Sequence, residues 1–198
     1  MLGSRSSLLR REMLKTNADS SKGCMKALII VADTSYEGEY SMAVQALRQL
    51  GMEVSTGLVS KTANVNFDAD LTDEFSEDVL NGYDVIAFIG GYWAYYAATG
   101  KEMPGRVKPM VNREAFEKLL TQSISNGKKT ILPLATPAYA ARLGLLKGRK
   151  ATVYPTTDLI SILKSNGVDY VNEDFVVDGN VITLKRMSVE SLTKALSK

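Results

Sequence analysis

Two features of this chain have residue types and surroundings suited to chemistry: Glu39, at the expected start of a helix, and the glycine pair Gly90-Gly91. Burial of a carboxyl such as that of Glu39 raises its pKa towards neutrality, where it can act as a general acid or base. Two successive backbone amides, as at Gly90-Gly91, can hold an anion or a developing oxyanion. Each also has an ordinary reading. Glu39 can simply be a carboxylate favoured by a helix dipole, worth about 0.3–1 kcal/mol, and the glycines a tight turn leaving a buried strand. Asp33, Ser35, Tyr36 and Glu37 share the loop that precedes Glu39. Tyr92, Trp93, Tyr95 and Tyr96 follow the glycines as an aromatic cluster. Such side chains suit ligand pockets and interfaces, and equally a loop folded onto its own core. Thr136 offers a hydroxyl, but Thr followed by Pro137 is the pattern of an N-cap and a first helical residue.

The residues that are missing narrow the chemistry further. The chain has no histidine, so activation of a hydroxyl would fall to a carboxylate or a lysine. Its single cysteine, Cys24, excludes an intramolecular disulfide and a Cys-rich zinc site. No metal and no cofactor is expected, and a reducing, cytoplasmic setting is the default. The 198 residues carry a formal charge of +2, with +3 in the first 24 and about −1 in the remainder. A domain so near neutrality has no long-range field to draw in phosphate backbones, so no nucleic-acid partner is expected. No apolar run approaches the roughly 20 residues of a membrane span. Lys101, Arg106 and Lys108 read as a solvated face.

The elements that must position these residues follow from periodicity. Residues 1–24 are Ser-rich and basic without a clean period and read as a tail, from an extended start with Met25 as the functional one, a tag, or a weak transit-like segment. Residues 25–198 read as one domain. Within it, Lys26–Ala32 and Val85–Ile89 are continuous apolar runs, the mark of strands buried on both faces of a parallel sheet. Further strands are predicted at Glu53–Val59, Thr130–Pro133 and Lys150–Val153. Helices are predicted at Glu39–Leu50, Arg113–Asn126 (capped by Asn112), Pro137–Leu143, Thr157–Ser165 and Ser188–Leu196. Phe175–Val177 and Val181–Leu184, joined through Asp178-Gly179-Asn180, predict an antiparallel hairpin. Residues 60–80 and 92–112 carry no clear pattern. Alternation of strands and helices implies a mostly parallel sheet covered on both faces. Its ligand site belongs at the carboxyl ends of the strands, where Asp33–Glu39, Gly90–Tyr96 and Leu134–Pro137 converge.

Three segments carry a family resemblance: Tyr83–Gly91 (YDVIAFIGG), Gly144–Thr152 (GLLKGRKAT) and Val176–Thr183 (VVDGNVIT). In this order and spacing they resemble the ThiJ/PfpI superfamily, relatives of class I glutamine amidotransferase domains. The resemblance implies a three-layer, flavodoxin-like α/β fold and a nucleophile elbow of the form Ile-Cys-x-Gly-Pro. Here that elbow reads Pro133-Leu134-Ala135-Thr136-Pro137, so Leu134 takes the place of the cysteine. Glu39 corresponds to the acid that lies beside the cysteine in relatives, and Gly90-Gly91 to their oxyanion site. The stretch Leu184–Met187 departs from the Ser-Arg-x-Pro of relatives.

Leucine has no lone pair, so the thiolate chemistry of the family, including its intracellular protease, glyoxalase and deglycase activities, has no nucleophile here. The leading expectation is therefore a pseudoenzyme that binds a small molecule or a partner, with Gly90, Gly91, Tyr92, Trp93, Ala135 and Thr136 as binding residues. One alternative is a non-thiol enzyme with Glu39 as acid or base on a carbonyl compound. Another is a chaperone-like or assembly protein, since the resemblance implies a homo-oligomer, a dimer or larger.

Overall fold

The computed structural model describes residues 24–105 and 108–198, save the side chain of Glu77. Apart from Cys24, the expected tail lies outside the described residues, as does Arg106. Five parallel strands form the centre of the molecule: β1 (Lys26–Val31), β2 (Glu53–Leu58), β4 (Val85–Ile89), β5 (Lys129–Pro133) and β9 (Val181–Leu184). The two-residue β3 (Ala69–Asp70) adds a parallel edge, and β8 (Phe175–Asp178) adds the antiparallel one. The order is β3-β2-β1-β4-β5-β9-β8. From β1 the chain builds outwards to β2 and β3, then returns to β4 and builds the other way. The reversal lies between β1 and β4, where open α/β sheets hold their ligands.

Alternation along the strands divides the core into two layers. Leu28, Ile30, Ile86, Phe88 and Leu132 face one side. There they meet α2 (Gly91–Thr99), α3 (Arg113–Ser125), α4 (Thr136–Arg142) and α5 (Thr157–Ser165). Ala27, Ile29, Val31, Val85, Ala87, Ile89 and Ile131 face the other side, under α1 (Glu39–Gln49) and α6 (Val189–Leu196). Strands so covered are buried on both faces, which explains their unbroken apolar runs. The predicted α/β layering, the capping of α3 by Asn112 and the hairpin are all present. Asn112 Oδ1 accepts from the amide of Ala115 at 3.0 Å.

Two expectations need correction, and one unpatterned stretch gains short elements. The aromatic segment after Gly90-Gly91 is helix α2, not a loop. It has no charged residue and its exposed side carries tyrosines opposite the buried Ala94 and Ala98, so it lacks the period by which an amphipathic helix is recognised. The predicted strand Lys150–Val153 shrinks to β6 (Lys150–Ala151), paired with β7 (Asp169–Tyr170) in a separate two-stranded sheet. Residues 60–80 contain β3 and a 3-10 turn, Glu77–Leu80.

The hairpin is fastened to the rest by Asn180, whose Nδ2 donates to the carbonyls of Ile124 and Lys128, each at 3.0 Å. Its Oδ1 accepts from Arg149 Nη2 at 3.2 Å. Asn180→Ala removes one donor from each carbonyl, which keep those of Gly127 and Thr130, and is expected to lower unfolding stability by about 1–2 kcal/mol in urea denaturation.

Candidate functional site

Helix α2 begins where β4 ends, and its start is held by β1. The carboxylate of Asp33, two residues past β1, accepts from the amide of Trp93 at 3.0 Å and from the amide of Ser35 at 3.1 Å. The Ser35 hydroxyl also donates to it, and in turn accepts from the amide of Tyr92 at 3.3 Å. A helix N-terminus carries unpaired donors and partial positive charge, and Asp33 satisfies both. The approach is close enough to require glycine: a Cβ on Gly91, whose φ is +52°, would sit 2.8 Å from both the carbonyl oxygen and Oδ2 of Asp33.

Glu39 lies behind the same turn with 1% of its surface exposed. Neither of its carboxyl oxygens makes a hydrogen bond of normal geometry among the described residues. Burial pushes its pKa up to about 8, against the opposing pull of the Gly91 and Gly90 amides, and the nearby charge of Asp33 adds to the rise. The glycine amides therefore face Glu39, while the next two donors are taken by Ser35 and Asp33.

Across the switch point β5 turns into α4 through Leu134, whose φ is +58°. It is the one non-glycine residue with positive φ among those described, a conformation costing about 1–2 kcal/mol in an L-residue. Such backbone persists only where its surroundings hold it. Here the amide of Leu134 donates to the carbonyl of Leu184 and its carbonyl accepts from the amide of Tyr154, both at 2.9 Å. This strained strand-to-helix turn is the geometry of a nucleophile elbow.

Over the elbow lies a cleft of about 240 Å³, with Leu134, Ala135 and Gly91 as its base and Tyr36, Tyr92, Tyr95, Tyr96 and Tyr154 around it. Thr156 and Leu159, from the start of α5, complete the lining. Burial raises the pKa of Tyr36, helped by the phenols of Tyr154 and Tyr92 and opposed by the charge of Arg186. At the rim Lys101 Nζ meets Asp158 Oδ2 at 2.8 Å and Tyr95 Oη at 3.2 Å, joining the segment after α2 to α5. Desolvation works against the Asp158 carboxylate. Hydrogen bonds from Lys101, Thr156, Tyr95 and the Leu159 amide outweigh it and hold its pKa well below the usual range.

Of the expected site residues, Gly91, Tyr92, Ala135 and Leu134 line this cleft. Gly90 and Glu39 sit behind it. Trp93 does not line it: its indole packs 5.3 Å from the Phe116 ring and 5.6 Å from that of Tyr139, inside the core. Thr136 is not the N-cap of α4, a place taken by Ala135, and its buried hydroxyl has no partner among the described residues. Tyr154, Thr156 and Leu159 were missed. The capping pattern of Thr156 with Asp158 in the first turn marks where α5 starts, but nothing local shows that Tyr154 bonds back to the elbow. Cys24 lies beyond the opposite end of β1, its thiol 3.1 Å from the carbonyl of Gly51.

The geometry has measurable consequences. A carboxyl whose pKa is higher folded than unfolded binds more protons in the native state, so stability falls as pH rises between the two values. Tm should therefore drop from about pH 5 to about pH 8, and Glu39→Gln should flatten that slope in calorimetry. Leu134→Ala removes buried apolar contacts and is expected to cost about 2–4 kcal/mol. Leu134→Gly removes more surface but relieves the positive φ, and should match or exceed the alanine variant in stability by up to about 1 kcal/mol.

Comparison with known proteins agrees with this architecture. The chain is 28% identical over 166 residues to a deglycase of Pyrococcus abyssi, covering 80% of this chain and 89% of that one. It is 26% identical over 181 residues to DJ-1 homolog D of Arabidopsis thaliana, covering 80% of this chain but only 43% of the plant protein. The chain thus spans less than half of that relative. The solved structure of Schizosaccharomyces pombe DJ-1 superposes with a TM-score of 0.66 at 18% identity, over 87% of this chain and 90% of that one, which speaks for the fold. Residues 25–196 match the DJ-1/PfpI family, and the chain belongs to that family.

Proposed function

We propose that this chain is a ligand-binding member of the DJ-1/PfpI family, one whose elbow cleft holds a small molecule without forming a covalent bond to it. The observation that carries this reading is Leu134: the strained elbow backbone is kept at φ +58°, and the side chain on it is an apolar group at the base of the cleft. Strain kept in place without the nucleophile it would present argues for a shaped site and against thiolate chemistry. The residue correspondence that places Leu134 at the family's cysteine position supports the same reading. The activity named in the Pyrococcus relative is therefore not carried over to this chain.

A second reading, with Glu39 as general acid or base, draws support from its pKa of about 8. Against it stand the 1% exposure of Glu39 and its place behind Gly91, off the lining of the cleft.

The test has two arms. Wild-type protein is expected to turn over neither 2-oxoaldehydes nor peptides, while a library of small fragments shifts the NMR signals of Tyr36, Tyr92 and Tyr154. Robust turnover that disappears in Glu39→Gln would overturn the binding reading in favour of acid–base catalysis. In a Cys24→Ser background, Leu134→Cys should become alkylated by iodoacetamide and be protected by bound fragments, because a thiol at that position opens on the cleft beside a helix N-terminus.

A further inference from the structure

The elbow cleft has a chemical character beyond its shape. Its walls are phenols, and those of Tyr36, Tyr92, Tyr96 and Tyr154 make no hydrogen bond among the described residues. None of these four phenol oxygens is among the buried atoms left without a partner, and Tyr92 is 50% exposed, so they face solvent and are free to bond a guest. Tyr95, by contrast, is committed to Asp158 at 2.5 Å. Beside the cleft Arg186, from the turn after β9, lies with its guanidinium carbon 5.5 Å from the centre of the Tyr154 ring. This cation has no carboxylate partner among the described residues, whereas Lys101 is paired with Asp158. Asp33, beside Gly91, already accepts from the amides of Trp93 and Ser35, whereas the charge of Arg186, beside the cleft, reaches both Tyr154 and Tyr36. The base of Leu134 and Ala135 offers no polar group other than backbone.

We propose that the cleft takes a small aromatic carboxylate, with its ring on Leu134 among the tyrosines and its acid group turned towards Arg186 and the phenol of Tyr154. The proposal rests on the binding reading above and deepens it. Tyrosine rings at centroid distances of 5.1–5.4 Å, as in the Tyr95–Tyr96 and Tyr36–Tyr92 pairs, leave edges and faces suited to tilted contact with a further ring. A guanidinium presents a planar fork of donors that matches a carboxylate, and unpaired phenols donate to the same oxygens. The volume of about 240 Å³ lies below the roughly 300–1,000 Å³ of clefts that hold drug-sized molecules, which limits the guest to about one ring with a short acid arm.

Three probes separate the parts of this claim: phenylacetate, its neutral isostere phenylacetamide, and the non-aromatic acid cyclohexylacetate, each titrated by calorimetry and by NMR. Phenylacetate is expected to bind about five- to tenfold more tightly than phenylacetamide, the size of one charge-assisted hydrogen bond partly open to water. It should also bind more tightly than cyclohexylacetate, with the shifts centred on Tyr36, Tyr92 and Tyr154. Arg186→Gln should abolish the advantage of acid over amide, read as the ratio of the two dissociation constants, so that loss of the contact between Arg186 and the Tyr154 ring, which both probes feel alike, cancels. Equal binding of acid and amide overturns the anion preference, and an advantage that survives Arg186→Gln overturns its assignment to Arg186, while in both cases the cleft remains a binding site. Equal binding of the two acids overturns the aromatic preference in the same limited way. If none of the three probes moves the cleft signals, the proposal fails, and if the fragment library leaves them unmoved as well, the binding reading fails with it.

Discussion

The contact between Asp33 and the start of α2 is the constraint on which the site depends. One carboxylate, projecting from the end of β1, satisfies the amide of Trp93 and holds Ser35 against that of Tyr92. It thereby ties the two strands on either side of the topological switch point and sets where α2 begins. Only glycine at position 91 lets the two backbones come this close. Once the start is fixed, helical geometry does the rest: Tyr92, Tyr95 and Tyr96 are carried to the cleft, and Trp93 is carried into the core against Phe116 and Tyr139.

The same contact decides the state of Glu39. Two carboxyls meet one set of helix-terminal donors, and Asp33 occupies the well-aligned ones. Glu39 is left buried, near a like charge, with amides that face it but do not bond it in normal geometry. Desolvation then outweighs the remaining attraction, and the carboxyl holds its proton near neutrality. On the far side of the cleft Leu134 keeps a strained backbone because Leu184 and Tyr154 hold both of its peptide groups. The elbow is thus a property of the surrounding strands and not of the side chain it carries.

Much of this was legible from residue order. Unbroken apolar runs at 26–32 and 85–89 announced strands covered on both faces, and the Asn112 cap and the Asp178-Gly179 turn placed α3 and the hairpin closely. Helix α2 was not legible. Aromatic residues have modest helix propensity and, in a segment caught between core and cleft, no charged face supplies a period. Thr136 misled for a related reason: Thr-Pro is a capping pattern in an isolated helix, but the elbow turns one residue earlier and leaves Ala135 in the capping position.

The sequence by itself determined the layered α/β architecture, the convergence of three loops at the carboxyl ends of the strands, and the absence of a thiol or imidazole to act there. These follow from burial patterns and residue types, which are local and additive along the chain. Only the tertiary structure decided that Glu39 stands behind the cleft, that Trp93 belongs to the core, that Tyr154 joins tyrosines about sixty residues or more away, and that Arg186 lies over the Tyr154 ring. Those outcomes depend on which of several competing groups reaches a shared donor or a shared space first, and that competition is settled by the relative placement of strands distant in sequence.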